Sequence, residues 1–291
     1  MTSPALAHQT ANGRMYSRSL NESPTVPSIT TVISQAPSDM SGWAGHMAAT
    51  TLARDPGLAA AAGNPARLKS LAKEASAAAD RFRNAAAERG DRVHFYAEQV
   101  ALRALGRPHQ LAEAREELRS RGEDAFAARL DEWWQLYGVE PLVPEITVWN
   151  QEVGYAGTLD LVARIGGRLC LIDFKTKGTD RSGQVKAMDE KVVMQLVAGM
   201  KAQESLLDAG AGSWEPWAYG SDPILLGVAV GETEVRPMQA NPAVLRYHWY
   251  KFCALRRVWE TQLQAAEAGR ALLPIGPPAV HPEAAGAAAL D

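Results

Sequence analysis

The segment Arg168-Leu-Cys-Leu-Ile-Asp-Phe-Lys175 constrains this chain more than any other. It is apolar on both faces as far as Asp173, the pattern of a strand covered on both sides. Side chains alternate along a strand, so Asp173 and Lys175 share one face while Ile172 and Phe174 point to the other. A carboxylate and an ammonium at the end of such a strand must be paired, solvated or put to chemical use. Just upstream, residues 157–165 read as a second strand, and Gly166-Gly167 as the turn that joins the two in a hairpin. If the strands pair across that turn, Asp160 and Asp173 lie at similar distances from it and converge.

The rest of the chain supplies a frame for this hairpin. Residues 146–149 predict a strand ahead of it, with Gly154 in the turn. After Lys175 come a polar loop over 177–183, a helix over about 185–207, and strands over 224–230 and 233–238 separated by Gly231. A final helix covers about 242–268. Upstream of Pro141 the pattern is mainly helical. Ser41 would cap a helix through Trp43, Met47 and Leu52, and a second runs over about 65–87 before Arg89-Gly90-Asp91 interrupts it. A third follows from Val93 through Tyr96, Val100 and Leu105 at i, i+3/i+4 spacing, and residues 111–137 give one or two more. Residues 29–33 form a short β-branched segment. This order predicts an α/β fold, a mixed β-sheet core flanked by helices with a mainly helical N-terminal part. We divide the chain into a disordered N-terminal segment (1–27), the helical part (28–140), the α/β core (141–270) and a disordered Ala/Pro-rich tail (271–291).

Composition removes several function classes. No run approaches the roughly 18 apolar residues of a membrane span, and residues 1–27 lack the apolar stretch of a secretory signal. The expectation is a cytoplasmic protein with no membrane partner. Cys170 and Cys253 are the only cysteines, too few for a disulfide framework, a four-cysteine zinc site or an iron–sulfur cluster. The formal net charge of −3 argues weakly against a nucleic-acid partner, because binding depends on where charge sits. Between Arg164 and Lys201 eight basic residues face four acidic ones, so the region around the hairpin is locally basic.

Two carboxylates beside a lysine make a hard-oxygen site suited to Mg²⁺ or Mn²⁺. An ion held by Asp160 and Asp173 would polarise a phosphoryl oxygen and help ionise a water. Lys175 would orient that water or stabilise developing charge. The bland alternative is an ordinary Asp173–Lys175 ion pair at a strand end. Lys177, Arg181 and Lys186 follow directly and are candidates to hold a DNA backbone or simply a solvated loop. Trp133-Trp134 and the Trp214/Trp217 pair suit apolar packing better than base stacking, and Arg256-Arg257 read as a solvated helix face.

Gly-Thr-Leu-Asp160, a short hairpin, Ile-Asp173-Phe-Lys175-Thr and then a helix containing Gln195 resemble the PD-(D/E)XK nuclease superfamily. The likeness is strongest to the RecB-type exonuclease branch, with its CRISPR-associated and bacteriophage members, and covers roughly residues 94–200. Pro27-Ser-Ile-Thr-Thr-Val-Ile33 followed by Gly42-Trp-Ala looks like the opening of the phage-encoded proteins. The resemblance implies a restriction-endonuclease-like sheet, with Asp160 and Asp173 as metal ligands, the Phe174 carbonyl completing the shell and Lys175 as the catalytic lysine. Gly90-Asp-Arg-Val-His94 fits a family pattern that would make His94 a further ligand. Gln195 matches a glutamine that contacts the DNA or the site, and Glu145 is the better of two upstream candidates (the other is Glu152) for an additional metal-proximal acid. Three positions depart from the pattern. Leu159 stands where the naming proline belongs, Gly199 replaces an aromatic residue four positions after the glutamine, and the cluster-binding cysteines of many CRISPR-associated relatives are missing, so no iron–sulfur cluster is expected.

The expectation is therefore a Mg²⁺- or Mn²⁺-dependent DNA nuclease, an exonuclease of recombination, replication or end processing with DNA as substrate and partner proteins from those processes. Its compartment would be the host cytoplasm if phage-encoded. The alternatives are a DNA-binding protein with a degenerate nuclease fold and an unrelated α/β domain whose charges are structural.

Overall fold

A computed structural model describes residues 4–278. The chain opens with strands β1 (Ala7–Thr10), β2 (Gly13–Tyr16) and β3 (Val26–Pro27), then helices α1 (Ile29–Ile33), α2 (Ser41–Ala53), α3 (Pro65–Ser76), α4 (Ala78–Ala104), α5 (Leu111–Ser120) and α6 (Asp124–Leu136). Strands β4 (Glu140–Asn150), β5 (Tyr155–Ile165) and β6 (Arg168–Thr176) follow, then α7 (Lys191–Met200), β7 (Glu204–Asp208), β8 (Ser213–Pro216), β9 (Ile224–Val230), β10 (Val235–Gln239) and α8 (Leu245–Ala268). The fold is α/β: a seven-stranded mixed sheet in the order β10-β9-β6-β5-β4-β7-β8, flanked by helices and preceded by a mainly helical part. Only β6 and β9 run parallel; every other neighbouring pair is antiparallel.

Both faces of the sheet are covered, as the unbroken apolar run of β6 requires. On one face Cys170, Ile172 and Phe174 pack with Leu226, Val228 and residues of α4, α5 and α6. On the other, Leu171 and Leu225 pack with α1, α7 and Phe252 of α8. Asp173 therefore emerges between Ile172 and Phe174 on the α7 face.

Several local expectations are corrected. Residues 4–27 are ordered, contrary to the disordered segment read over 1–27. They form a three-stranded sheet, with Gly13 at φ 96° in its tight turn. Sparse anchors hold it: Leu6 and Tyr16 are buried against Trp149 and Ala156. Arg18 lies over the rings of Trp149 and Trp214 and pairs with Glu204 at 2.6 Å. A mean composition over 27 residues hides anchors this few. Residues 29–33 are helical, because Ser28 caps the turn by accepting from the Thr31 N–H. Gly90 does not interrupt a helix. α4 runs through it, and a Cβ there would stand 3.4 Å from Thr176 Oγ1, so glycine brings the helix close to the end of β6.

The helix read over 185–207 is shorter: residues 204–208 instead form a strand on β4, and residues 213–216, where no element was read, form the edge strand beyond it. The strand read over 146–149 extends over Glu140–Asn150. Residues 271–278 carry no helix or strand; the rest of the tail read over 271–291 and the first three residues lie outside the described part. No helix among the described residues is long and apolar enough to cross a membrane.

Candidate active site

The site forms where the central ladders break. The β5–β6 ladder pairs Ile165 with Arg168 and continues to Leu161 with Ile172, and there it stops. The next positions are Asp160 and Asp173. Instead of a backbone rung, the Asp160 carboxylate accepts a hydrogen bond from the Phe174 N–H at 2.7 Å. On the other side of β5, β4 pairs Pro144 with Leu161 and Ile146 with Leu159, skipping Glu145 and Asp160. Glu145 has φ 48°, a left-handed conformation that non-glycine residues rarely adopt. Three carboxylates thus stand in a row across three neighbouring strands, each at a break in regular pairing. Strain and irregular pairing of this kind collect at functional sites.

The carboxylates differ in surroundings. Asp173 is 2% exposed. Lys175 Nζ donates to its Oδ1 at 2.8 Å and stands 2.6 Å from Oδ2, which is buried without a hydrogen bond of its own. Burial pushes the Asp173 carboxyl up to about 6, with the charge of Asp160 adding to the shift and Lys175 opposing it. Glu145 is pushed up to about 9, first by burial and then by Asp160 and Glu98. Burial alone would lower the Lys175 ammonium, but Asp173 and Asp160 more than offset it, so the lysine stays charged. A third of its side chain remains open to the cleft (34%).

His94, on α4, places Nδ1 3.6 Å from Asp160 Oδ2 and its ring edge-on to Phe174. His94, Glu145, Asp160, Lys175 and Gln195 all line one cleft of about 160 Å³. The cleft also gathers residues that the sequence reading missed. Arg14 and Tyr16 reach it from β2, Ser28 and Thr30 from the start of α1, and Thr158 from β5. Tyr16 Oη lies 3.0 Å from Thr158 Oγ1, which in turn lies 3.3 Å from Thr147 Oγ1. Arg14 is exposed and forms no ion pair among the described residues. Alternation in Ala7–Tyr16 was the available signal for that hairpin, but its apolar residues were too few to stand out.

Other candidates fall elsewhere. Lys177, Arg181 and Lys186 do not line the cleft; Lys186 borders a separate cavity. Asp180 folds their loop by accepting from the N–H groups of Ser182 and Gln184. Trp133 and Trp134 are buried, and Trp214 packs on Trp149. Arg256 is not a solvated face residue: it donates to the Gly154 carbonyl at 2.6 Å and lies over Trp259. At Gly199, a Cβ would stand 2.4 Å from Leu159 Cδ2, so the larger residue of the related pattern would force Leu159 or α7 to shift.

Among the described residues, no three His, Cys, Asp or Glu side chains are drawn together into a ready-made metal-ligand set. The donor chemistry nonetheless fits a hard divalent cation. The charge of Asp160 raises the proton affinity of both Glu145 and Asp173, Asp173 keeps a buried oxygen without a hydrogen bond, and an imidazole stands beside them.

No family model matches this chain, and no curated protein matches it. Among solved structures it is similar to the crystal structure of SSO0001, at 12% identity over 52% of this chain and 69% of that one, with a TM-score of 0.24.

Proposed function

We propose that this chain is a divalent-cation-dependent deoxyribonuclease of the PD-(D/E)XK type, working as an exonuclease. The observation that carries the reading is convergence. His94, Glu145, Asp160, Lys175 and Gln195 come from five different elements and line one cleft, with Asp173 buried directly behind it. Charges scattered for structural reasons have no cause to meet in this way. Two features favour a structural reading: Lys175 and Phe174 already partner Asp173 and Asp160. Neither explains the half-buried, proton-retaining Glu145 at a strained backbone position beside them.

In this reading Asp160, Asp173, Glu145 and His94 would hold Mg²⁺ or Mn²⁺, with the Phe174 carbonyl as the resemblance implies. Such an ion, when bound, supplies Lewis acidity toward a phosphoryl oxygen and an easily ionised water. The chain's own groups do the rest. Asp173 fixes Lys175 and keeps it charged, so the ammonium meets the negative charge that gathers on the phosphate during cleavage. Gln195 offers an amide to position the substrate or the attacking water. Arg14 contacts a neighbouring phosphate, a sequence-independent hold. Lys177 and Arg181 would hold the backbone further along.

The test uses end-labelled linear DNA and closed circular DNA, each single- and double-stranded, with Mn²⁺ or with EDTA. Metal-dependent loss of linear DNA with circles spared is the expected result. DNA bound but never cut would identify a degenerate nuclease fold, and neither binding nor cutting would leave the charges structural.

A further inference from the structure

A second and larger cavity, of about 370 Å³, lies on the same face of the sheet. Its floor contains Gly227 and Ala229 of β9, and these are the register partners of Asp173 and Lys175 on β6. Neighbouring strands are about 4.8 Å apart, so this floor begins one strand from the catalytic pair. α7 serves both spaces: Gln195 lines the cleft, while Val192, Val193 and Leu196 wall the cavity. Met188 and Val244 complete a largely apolar enclosure, and Lys186 and Arg236 border it. His248, also on the wall, has a buried Nδ1 with no hydrogen-bond partner among the described residues. The nearby acids are engaged, Glu190 with Lys251 at 3.1 Å and Asp189 with the Lys191 N–H at 2.8 Å.

We propose that this cavity receives one unstacked nucleobase of the substrate strand, close to the phosphate that is cut. The inference rests on the nuclease reading and adds to it. Its size falls within the range of small-molecule sites, roughly 300–1,000 Å³. A base is flat and apolar on its faces and polar at its edge, which matches apolar walls with one unpaired ring nitrogen. Bordering cations suit the phosphates on either side of the base. Seating a base in a protein pocket costs only its unstacking, which is least in a single strand, and it would fix the neighbouring phosphate in place.

An abasic scan tests this. Single-stranded dodecanucleotides, each lacking one base in turn, are bound to the full chain in EDTA, and affinity is read by fluorescence anisotropy. Cleavage of the intact oligonucleotide with Mn²⁺ is measured beside it. Loss of one particular base should weaken binding about five- to a hundredfold, the range for a base stacked on protein, and other positions should change little. Val244→Phe, which fills the cavity, and His248→Ala should bind the intact strand more weakly and no longer distinguish it from that abasic one. A flat scan with intact binding and cleavage overturns the base pocket and leaves the nuclease reading standing. A position-specific loss that persists in both variants places the base elsewhere and also overturns it. Failure to bind or cut these single strands overturns the base pocket, and failure on the duplex and circular DNA above as well removes the nuclease reading with it.

Discussion

Glu145 is the residue whose environment makes the sharpest demands. Its carboxyl titrates near 9 in the folded chain against about 4.3 in an unfolded one. Between those values the folded state keeps a proton that the unfolded state has released, so stability falls as pH rises through that window. Asp173, raised to about 6, acts in the same direction between the ordinary carboxylate range and pH 6. Metal-free protein should therefore show a melting midpoint that declines from pH 5 to pH 9, and Glu145→Gln should flatten the upper part of that decline. A midpoint that rises over pH 6–9 would contradict the raised proton affinity of these carboxyls. The same proton must leave if Glu145 is to bind a cation. Calorimetry at pH 7 in buffers of different ionisation enthalpy should thus detect about one proton released per Mn²⁺ bound, and Glu145→Gln should abolish most of it. Equal proton release in both proteins would remove Glu145 from the ligand set. Arg14 makes a smaller claim. Arg14→Ala should reduce the slope of log affinity against log salt by about one phosphate contact, and an unchanged slope would place the guanidinium away from the DNA.

At the scale of elements, the hairpin and its neighbours were legible and the edges were not. β6 announces itself by an unbroken apolar run and the hairpin by its Gly-Gly turn, and the register puts Asp160 and Asp173 next to each other where the ladder ends. Gly90 misled, because glycine inside a helical pattern reads as a break. What glycine provides there is close approach to Thr176, as Gly199 gives close approach to Leu159, and sequence does not record what lies across an interface. β7 follows α7 without a Gly or Pro between them, and tertiary pairing with β4 decides its conformation; the edge strand β8 then pairs with β7. Gly199→Ala measures the tightness of the α7–β5 seat. Helix propensity alone would stabilise the variant by up to about 1 kcal/mol. Leu159 is 3% exposed and the added carbon would stand 2.4 Å from it, so overpacking of about 1–3 kcal/mol should win. The expected outcome is a midpoint lowered by several degrees in thermal unfolding; a raised midpoint would mean that the interface yields freely.

Across the whole molecule, the site is assembled from segments far apart in the chain, and this decided how much of it could be read. Asp160, Asp173 and Lys175 lie within one hairpin, so strand periodicity alone relates them. His94, Glu145 and Gln195 come to the same cleft only through the tertiary fold, and a resemblance was needed to point to them. Arg14 and Tyr16 were lost to a compositional argument, although the N-terminal sheet walls the cleft and is pinned by Trp149 and Trp214. The account as a whole depends on the buried carboxylate behind that cleft. Its most direct test compares wild type with Asp173→Asn for Mn²⁺-dependent cleavage of end-labelled linear DNA, with circular dichroism as a check that the fold is retained. An amide is a far weaker ligand than a carboxylate for a hard cation. The wild type should cut, and the folded variant should be slower by about a hundredfold or more; cleavage by the variant at the wild-type rate would contradict the central claim.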